Sequence, residues 1–221
     1  RRDIGTVTMR VVHRTNKCFK YCCYAFVALL LSSVLCVPLA FSAPNQAAQY
    51  QRTLTRESYA VWGLNAPIPV FAAQIHQESQ WKTTALSPVG AQGLAQFMPK
   101  TADWIAALYP ELADNQPNNP DWALRALVRY NRFNYERIAA RTECDRMAFM
   151  LSAYNGGLGW VQKDKRKAQA QGLDPLTYWQ NVELVNSGRS RANFAENRGY
   201  PKQIIYRWQP LYINWGIPQC L

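Results

Sequence analysis

Capping residues, prolines and glycines cut this chain into segments whose apolar residues recur at helical spacing. That punctuation constrains its fold more than any other feature. The clearest case is Asn119-Pro120-Asp121, which joins an N-cap residue, a first-turn proline and an early acid. The helix it opens is expected to run to about Arg141, with Ala123, Ala126, Leu127, Tyr130 and Phe133 or Asn134 along one face. Helices are expected likewise over residues 45–62, 67–79, 99–108, 144–154 and 160–171, with a short one over 174–182 and a last long one over 198–215. Residues 83–93 hold Ser87-Pro88 and two glycines and read as a loop. No alternating run is long enough to mark a strand, and no repeat appears. The expected fold class is mainly α, in one domain over residues 43–221.

The segment before that domain reads as an address. Arg10, Arg14, Lys17 and Lys20 precede an apolar run from Tyr24 to Val37, and Ala40-Phe41-Ser42 offers a small-x-small cleavage site. Residues 1–42 are therefore expected to be a secretory signal peptide cut after Ser42, with Met9 as a fitting true start. The alternative is an uncleaved inner-membrane anchor over residues 21–41, since roughly 20 apolar residues span a bilayer. Either reading sends the domain out of the cytoplasm, to the periplasm if the signal is cut. Cys18, Cys22, Cys23 and Cys36 would leave with the signal, and they lack partners at zinc-ligand spacing, so no metal site is expected. The remaining Cys144 and Cys220 suggest one disulfide tying the C-terminus to the body.

The net charge of +11 is split between six Lys/Arg against one acid in residues 1–43 and nineteen against thirteen beyond them. Such a balance suits an anionic partner: wall polymer, phospholipid headgroups or nucleic acid. No nucleic-acid motif accompanies it, so no specific nucleic acid is expected. Lys163, Lys165, Arg166 and Lys167 read as a solvated helix face. Counting removes several chemistries. His76 is the one histidine after the signal, no G-x-S-x-G elbow exists, and no phosphate-binding loop occurs, so no cofactor is expected.

What survives is acid–base work by a carboxyl group. Glu78 stands among apolar and amide side chains, with no other carboxylate within twenty residues on either side. Its place in the last turn of a helix disfavours the charged form through the helix dipole. Glycosidic cleavage normally takes two carboxylates. One suffices when the substrate's own acetamido group attacks the anomeric carbon, which restricts substrates to N-acetylhexosamine polymers.

Glu78-Ser79, then Ser87-Pro88-Val89-Gly90-Ala91-Gln92-Gly93-Leu94-Ala95-Gln96-Phe97-Met98-Pro99, then Ala153-Tyr154-Asn155-Gly156-Gly157 resemble the soluble lytic transglycosylase (SLT) family in content, order and spacing. Glu196-Asn197-Arg198-Gly199-Tyr200 is similar to that family's C-terminal block, and Phe97 and Pro201 are the departures from its pattern. The resemblance implies a lysozyme-like helical domain with an interhelical cleft. It implies a lytic transglycosylase that cuts the muramic acid–glucosamine bond of peptidoglycan and leaves a 1,6-anhydro product. Glu78 would be the acid and then the base, and Ser87 would polarise the acetamido group. Gln96, Met98, Tyr154 and Asn155 would line the sugar subsites, while Glu196 and Tyr200 would support the cleft. Two alternatives stand beside this one: a goose-type lysozyme-like hydrolase, and a non-catalytic peptidoglycan-binding protein. The expected partners are glycan strands and, for a small specialised member, envelope secretion or conjugation machinery.

Overall fold

A computed structural model describes residues 44–220. The signal segment, Met9 and the four cysteines before Phe41 lie outside the described residues. Helix Ile68–Ser79 is apolar on almost every side, and a helix of that kind must be enclosed by others. Ile68, Val70, Phe71, Ala72, Ala73 and Ile75 are all fully buried, and each larger side chain among them contributes about 1.5–3 kcal/mol by leaving water. In chain order the helices are α1 (Asn45–Ala48), α2 (Gln51–Trp62), α3 (Ile68–Ser79), α4 (Pro99–Leu108), α5 (Pro120–Glu136), α6 (Glu143–Gly156), α7 (Leu158–Ala170) and α8 (Arg191–Lys202). A π-helical segment Gln203–Trp208 and a 3-10 segment Gln209–Trp215 follow α8 without a break. Among the described residues the only β-type pairings are isolated bridges, Leu86 with Gln92 and Gln92 with Phe97.

Helix α6 is the second enclosed helix, with Met147 to Ala153 buried in one run. It packs on α5, α7 and α8, while α2 packs on α5. The caps act as the sequence indicates. Asn119 Oδ1 accepts from the N–H groups of Asp121 (2.9 Å) and Trp122 (3.2 Å), and Thr142 Oγ1 accepts from Asp145 N (3.0 Å).

Four expected spans differ, each for a local reason. The first helix breaks at Gln49–Tyr50, where the polar opening turn buries only Ala47 and Tyr50 turns to stack near Trp81. Helix α5 stops at Glu136 rather than Arg141, because the carbonyls beyond it find tertiary donors: Gln162 takes Arg137 O and Lys165 takes Ala139 O. Lys165 is thereby buried, not part of a solvated face. Residues 174–182 form turns instead of a helix, since Asp174 captures Leu176 N (2.9 Å) and Thr177 Oγ1 (2.8 Å) and Asp145 captures Tyr178 N (2.8 Å). The last helix begins at Arg191, seven residues earlier than expected, under a Ser190 cap. It passes through Pro201 and then widens into the π segment, a way for a helix to absorb a missing N–H.

That C-terminal segment grips the end of α3. Tyr212 Oη accepts the indole N–H of Trp81 (2.7 Å) and pairs with His76 Nδ1 (2.8 Å). Trp208 stacks on His76 at 4.3 Å, and its Nε1 donates to Gln77 Oε1 (2.7 Å). The segment is held in turn by the Cys144–Cys220 disulfide and by Gln209, which bonds both the N–H and the carbonyl of Gln219. Replacing Tyr212 by Phe leaves Trp81 Nε1 and His76 Nδ1 unpaired in a closed site. The expected loss is about 1–3 kcal/mol, read as a lower urea midpoint at unchanged slope. An unchanged midpoint would show that the clamp does not hold the helix.

Candidate active site

Glu78 is the penultimate residue of α3, which ends because the chain turns sharply behind Ser79. Gln80 (φ 52°) and Trp81 (φ 66°) both take left-handed backbone, a conformation costly for non-glycine residues. The burial of the Trp81 ring and its bond to Tyr212 hold that turn, and the chain re-enters as the loop facing Glu78. Ser87 closes the loop on itself. Its N–H donates to Ala91 O (2.9 Å) and its Oγ accepts from Ala91 N (2.8 Å). Among the described residues the Ser87 hydroxyl donates to no acceptor, and the residue borders the cavity next to Glu78. Gln96 (φ 49°) spends its amide N–H groups on Ala85 O (3.1 Å) and Gly93 O (2.9 Å), which leaves Oε1 without a partner among the described residues. Gly93 (φ 72°) cannot be replaced, because a Cβ there would lie 2.0 Å from the Pro117 carbonyl oxygen.

Glu78, Ser87, Gln96, Met98, Tyr154, Asn155 and Glu196 border one cavity of about 450 Å³. Tyr200 is separate. It lines, with Glu78, Asn155 and Glu196, a second cavity of about 330 Å³. Glu78 thus borders both cavities. Tyr154 Oη donates to Ala95 O (2.7 Å), which pins α6 to the loop. The Phe97 ring packs against Trp122, Tyr130 and Tyr154 and is almost wholly buried, although the residue borders the same cavity. Asn155 Nδ2 donates to the exposed Glu196 (3.2 Å).

Three polar residues without a role in the sequence reading organise this site. Asn131 Nδ2 donates to Gln74 Oε1 (2.6 Å), Gln74 Nε2 donates to Tyr200 Oη (3.1 Å), and Tyr200 Oη donates to Glu78 Oε1. Asn197 receives Ser152 Oγ (2.8 Å) and donates to Asn155 Oδ1 (2.9 Å). Gln74 carried a signal, being an amide in an apolar helix one turn before Glu78 and hence on its face. Asn131 carried none beyond its i+4 relation to Leu127.

The Glu78 carboxyl is ringed by protein atoms, with limited access through the cleft. Desolvation, the largest influence, raises its pKa from 4.5 to about 8; the Tyr200 hydrogen bond lowers it, and the negative charge of Glu196 raises it. The group is protonated at neutral pH. Once it loses the proton, the relay from Asn131 through Gln74 and Tyr200 stabilises the carboxylate. Burial, with Glu78 nearby, also raises the Tyr154 and Tyr200 hydroxyls well above their usual range, so both remain donors. Among the described residues no three His, Cys, Asp or Glu side chains cluster closely enough to hold a metal ion.

The opposing influences give a test of sign. In a ¹³C-carboxyl titration the Glu78 midpoint is expected near 8. Glu196→Gln should lower it by removing a like charge, and Tyr200→Phe should raise it by removing a donor to the carboxylate. Shifts of the same sign in both variants would contradict this electrostatic account.

Residues 59–176, more than half of the chain, match the family model described as the transglycosylase SLT domain. The membrane-bound lytic murein transglycosylase F of Marinobacter nauticus is 32% identical over 143 residues, which cover 63% of this chain and 26% of that protein. The protein of the same name from Vibrio parahaemolyticus is 33% identical over 139 residues, covering 60% and 24%. Among solved structures, the 70 kDa soluble lytic transglycosylase Slt70 of Escherichia coli superposes with a TM-score of 0.51 at 22% identity, over 75% of this chain and 24% of that one. The chain thus spans about a quarter of the length of these relatives.

Proposed function

The chain belongs to the transglycosylase SLT domain family and has its lysozyme-like helical fold, and from that premise we propose that it is a peptidoglycan lytic transglycosylase. The observation that carries the proposal is Glu78: a carboxyl group desolvated until it keeps its proton near pH 8, bordering two adjoining cavities. Such a group can protonate the glycosidic oxygen between N-acetylmuramic acid and N-acetylglucosamine as the C–O bond breaks. The acetamido carbonyl oxygen of the muramyl residue attacks the anomeric carbon, with Ser87 Oγ–H available to orient that group. The carboxylate left on Glu78 then removes the proton from the C6 hydroxyl, whose oxygen displaces the acetamido oxygen and closes the 1,6-anhydro ring. The proton balance is neutral, and no water is consumed. The relay through Tyr200 supports the carboxylate between the two steps.

Gln96 Oε1, Met98, Tyr154 and Asn155 face the same cavity and are proposed to bind the sugars on either side of the cut. Glu196 is proposed to help hold the proton on Glu78 by its charge. Peptidoglycan as substrate implies action in the cell envelope. The relatives are named as membrane-bound, while among the described residues no helix is long and apolar enough to cross a membrane. The setting we propose, a local wall opening for a secretion or conjugation system, rests on the sequence pattern alone, as does the signal peptide over residues 1–42.

Digestion of purified wall followed by mass spectrometry tests the chemistry. Muropeptides with anhydro ends are expected, and release should fall at least about 10²-fold in Glu78→Gln. Reducing ends in their place would make the chain a hydrolase. Undiminished release by the variant would remove Glu78 from the reaction.

A further inference from the structure

A polar cavity of about 410 Å³ adjoins the Glu78 cleft and shares Asn155, Gly156 and Glu196 with it. The chemistry above makes no use of its far wall, which is formed by Trp160, Arg189, Ser190 and Asn193. Beneath that wall the charges do not balance. Asp164, fully buried, accepts from Arg189 Nη1 (2.5 Å) and Arg198 Nη2 (2.7 Å), so two guanidinium groups face one carboxylate. Arg198 uses its other donors on the carbonyls of Val182, Glu183 and Val185 and on Asn197. The nearby acid Glu183 pairs with Lys202.

Arg189 is different. Its side chain is 4% exposed, yet among the described residues Nε and Nη2 have no partner. These two nitrogens form one edge of the guanidinium, the fork that matches the two oxygens of a carboxylate. Nη2 lies towards Gly156, where a Cβ would approach it to 3.7 Å, and the group sits over the Trp160 ring. Helix α8 starts at the same wall under its Ser190 cap. The first-turn N–H groups of Arg191 and Ala192 have no intrahelical acceptor, and the helix dipole adds positive potential there.

We infer that this cavity is a carboxylate-binding site, in which the free Nε–Nη2 edge of Arg189 and the start of α8 hold an acidic group of the peptide borne by the glycan. The assignment of the ligand rests on the transglycosylase reading. The unpaired charge and the free fork stand apart from it. Because the fork is closed off from bulk water, leaving it unpaired is costly and pairing it is favourable. Seating the ligand takes a local side-chain shift at the cavity floor. Glu196, on the shared rim, keeps the acidic group on the Arg189 side.

Calorimetry on the full chain carrying Glu78→Gln, which does not consume its ligand, tests the site with three probes. These are soluble glycan strands bearing acidic peptides, the same strands stripped by an amidase, and the released peptides. Peptide-bearing strands are expected to bind about tenfold or more tighter than stripped ones, the range of a charge-assisted pair. Adding Arg189→Gln or Asn193→Glu should bring the ratio close to one. Arg189→Gln also removes a partner of buried Asp164 and can unfold the chain. Asn193→Glu avoids this, because a glutamate three residues after the Ser190 cap completes a favourable capping box while it occupies the anion's seat. A preference for peptide-bearing strands that survives Asn193→Glu overturns the proposal, and so does equal affinity for both strands before that change. If stripped strands are neither bound nor cleaved by the unsubstituted chain, the glycan reading fails instead. The carboxylate site then stands if released peptides bind and lose affinity in Asn193→Glu, and falls if they do not bind.

Discussion

One carboxyl group kept out of water at the end of a buried helix sets the terms for the rest of this structure. Helix α3 is enclosed because it is apolar, yet it carries Gln74, His76, Gln77 and Glu78 into that enclosure or to its edge. Each polar group needs a partner, and none lies close in sequence. Asn131 on α5 and Tyr200 on α8 serve Gln74, Tyr212 serves His76, Trp208 serves Gln77, and Tyr200 serves Glu78. The acid therefore recruits α5, α8 and the whole C-terminal segment. The π segment after Pro201 follows the same logic, since it leads the chain from Tyr200 to Trp208 while both reach α3.

The electrostatics divide in space. Around Glu78 burial dominates, and the neighbouring charge of Glu196 has the same sign and reinforces it. Behind Asn155 lies a buried cluster of opposite character, with Asp164 between Arg189 and Arg198. The two zones are joined by Asn197, which accepts from Arg198 Nη1 (2.6 Å) and holds Asn155 at the rim of the cleft. Gly156 is fixed by the same contact, because a Cβ there would come within 2.7 Å of Asn197 Nδ2. An anion bound beside Arg189 would thus act on the frame that positions Asn155.

Much of this was legible in the sequence where local chemistry decides structure. The Asn119 cap, the proline starts, the glycine loop and the penultimate place of Glu78 on its helix follow from residue types at fixed offsets. The spaced blocks from Glu78 to Tyr200 also led to residues that meet around Glu78, with Tyr200 lining a second cavity beside the acid. Long-range partners leave no such local mark. A lysine run looks the same whether Lys165 is solvated or capped by Ala139 O, and Asp174 looks like a helix cap until Asp145 claims Tyr178 N. Asn131 and Asn197 are ordinary asparagines in sequence and become structural only when α5 meets α3 and α8 meets α6.

The proposed reaction depends on a proton that burial holds on Glu78 through neutral pH. The pH dependence of kcat/KM on peptidoglycan reports the ionisation of that group in the free protein. The expected profile is level through neutrality and falls as pH rises through about 8, because only the protonated acid starts the reaction. A fall that begins near 4.5, the value of an unperturbed glutamate, would contradict it.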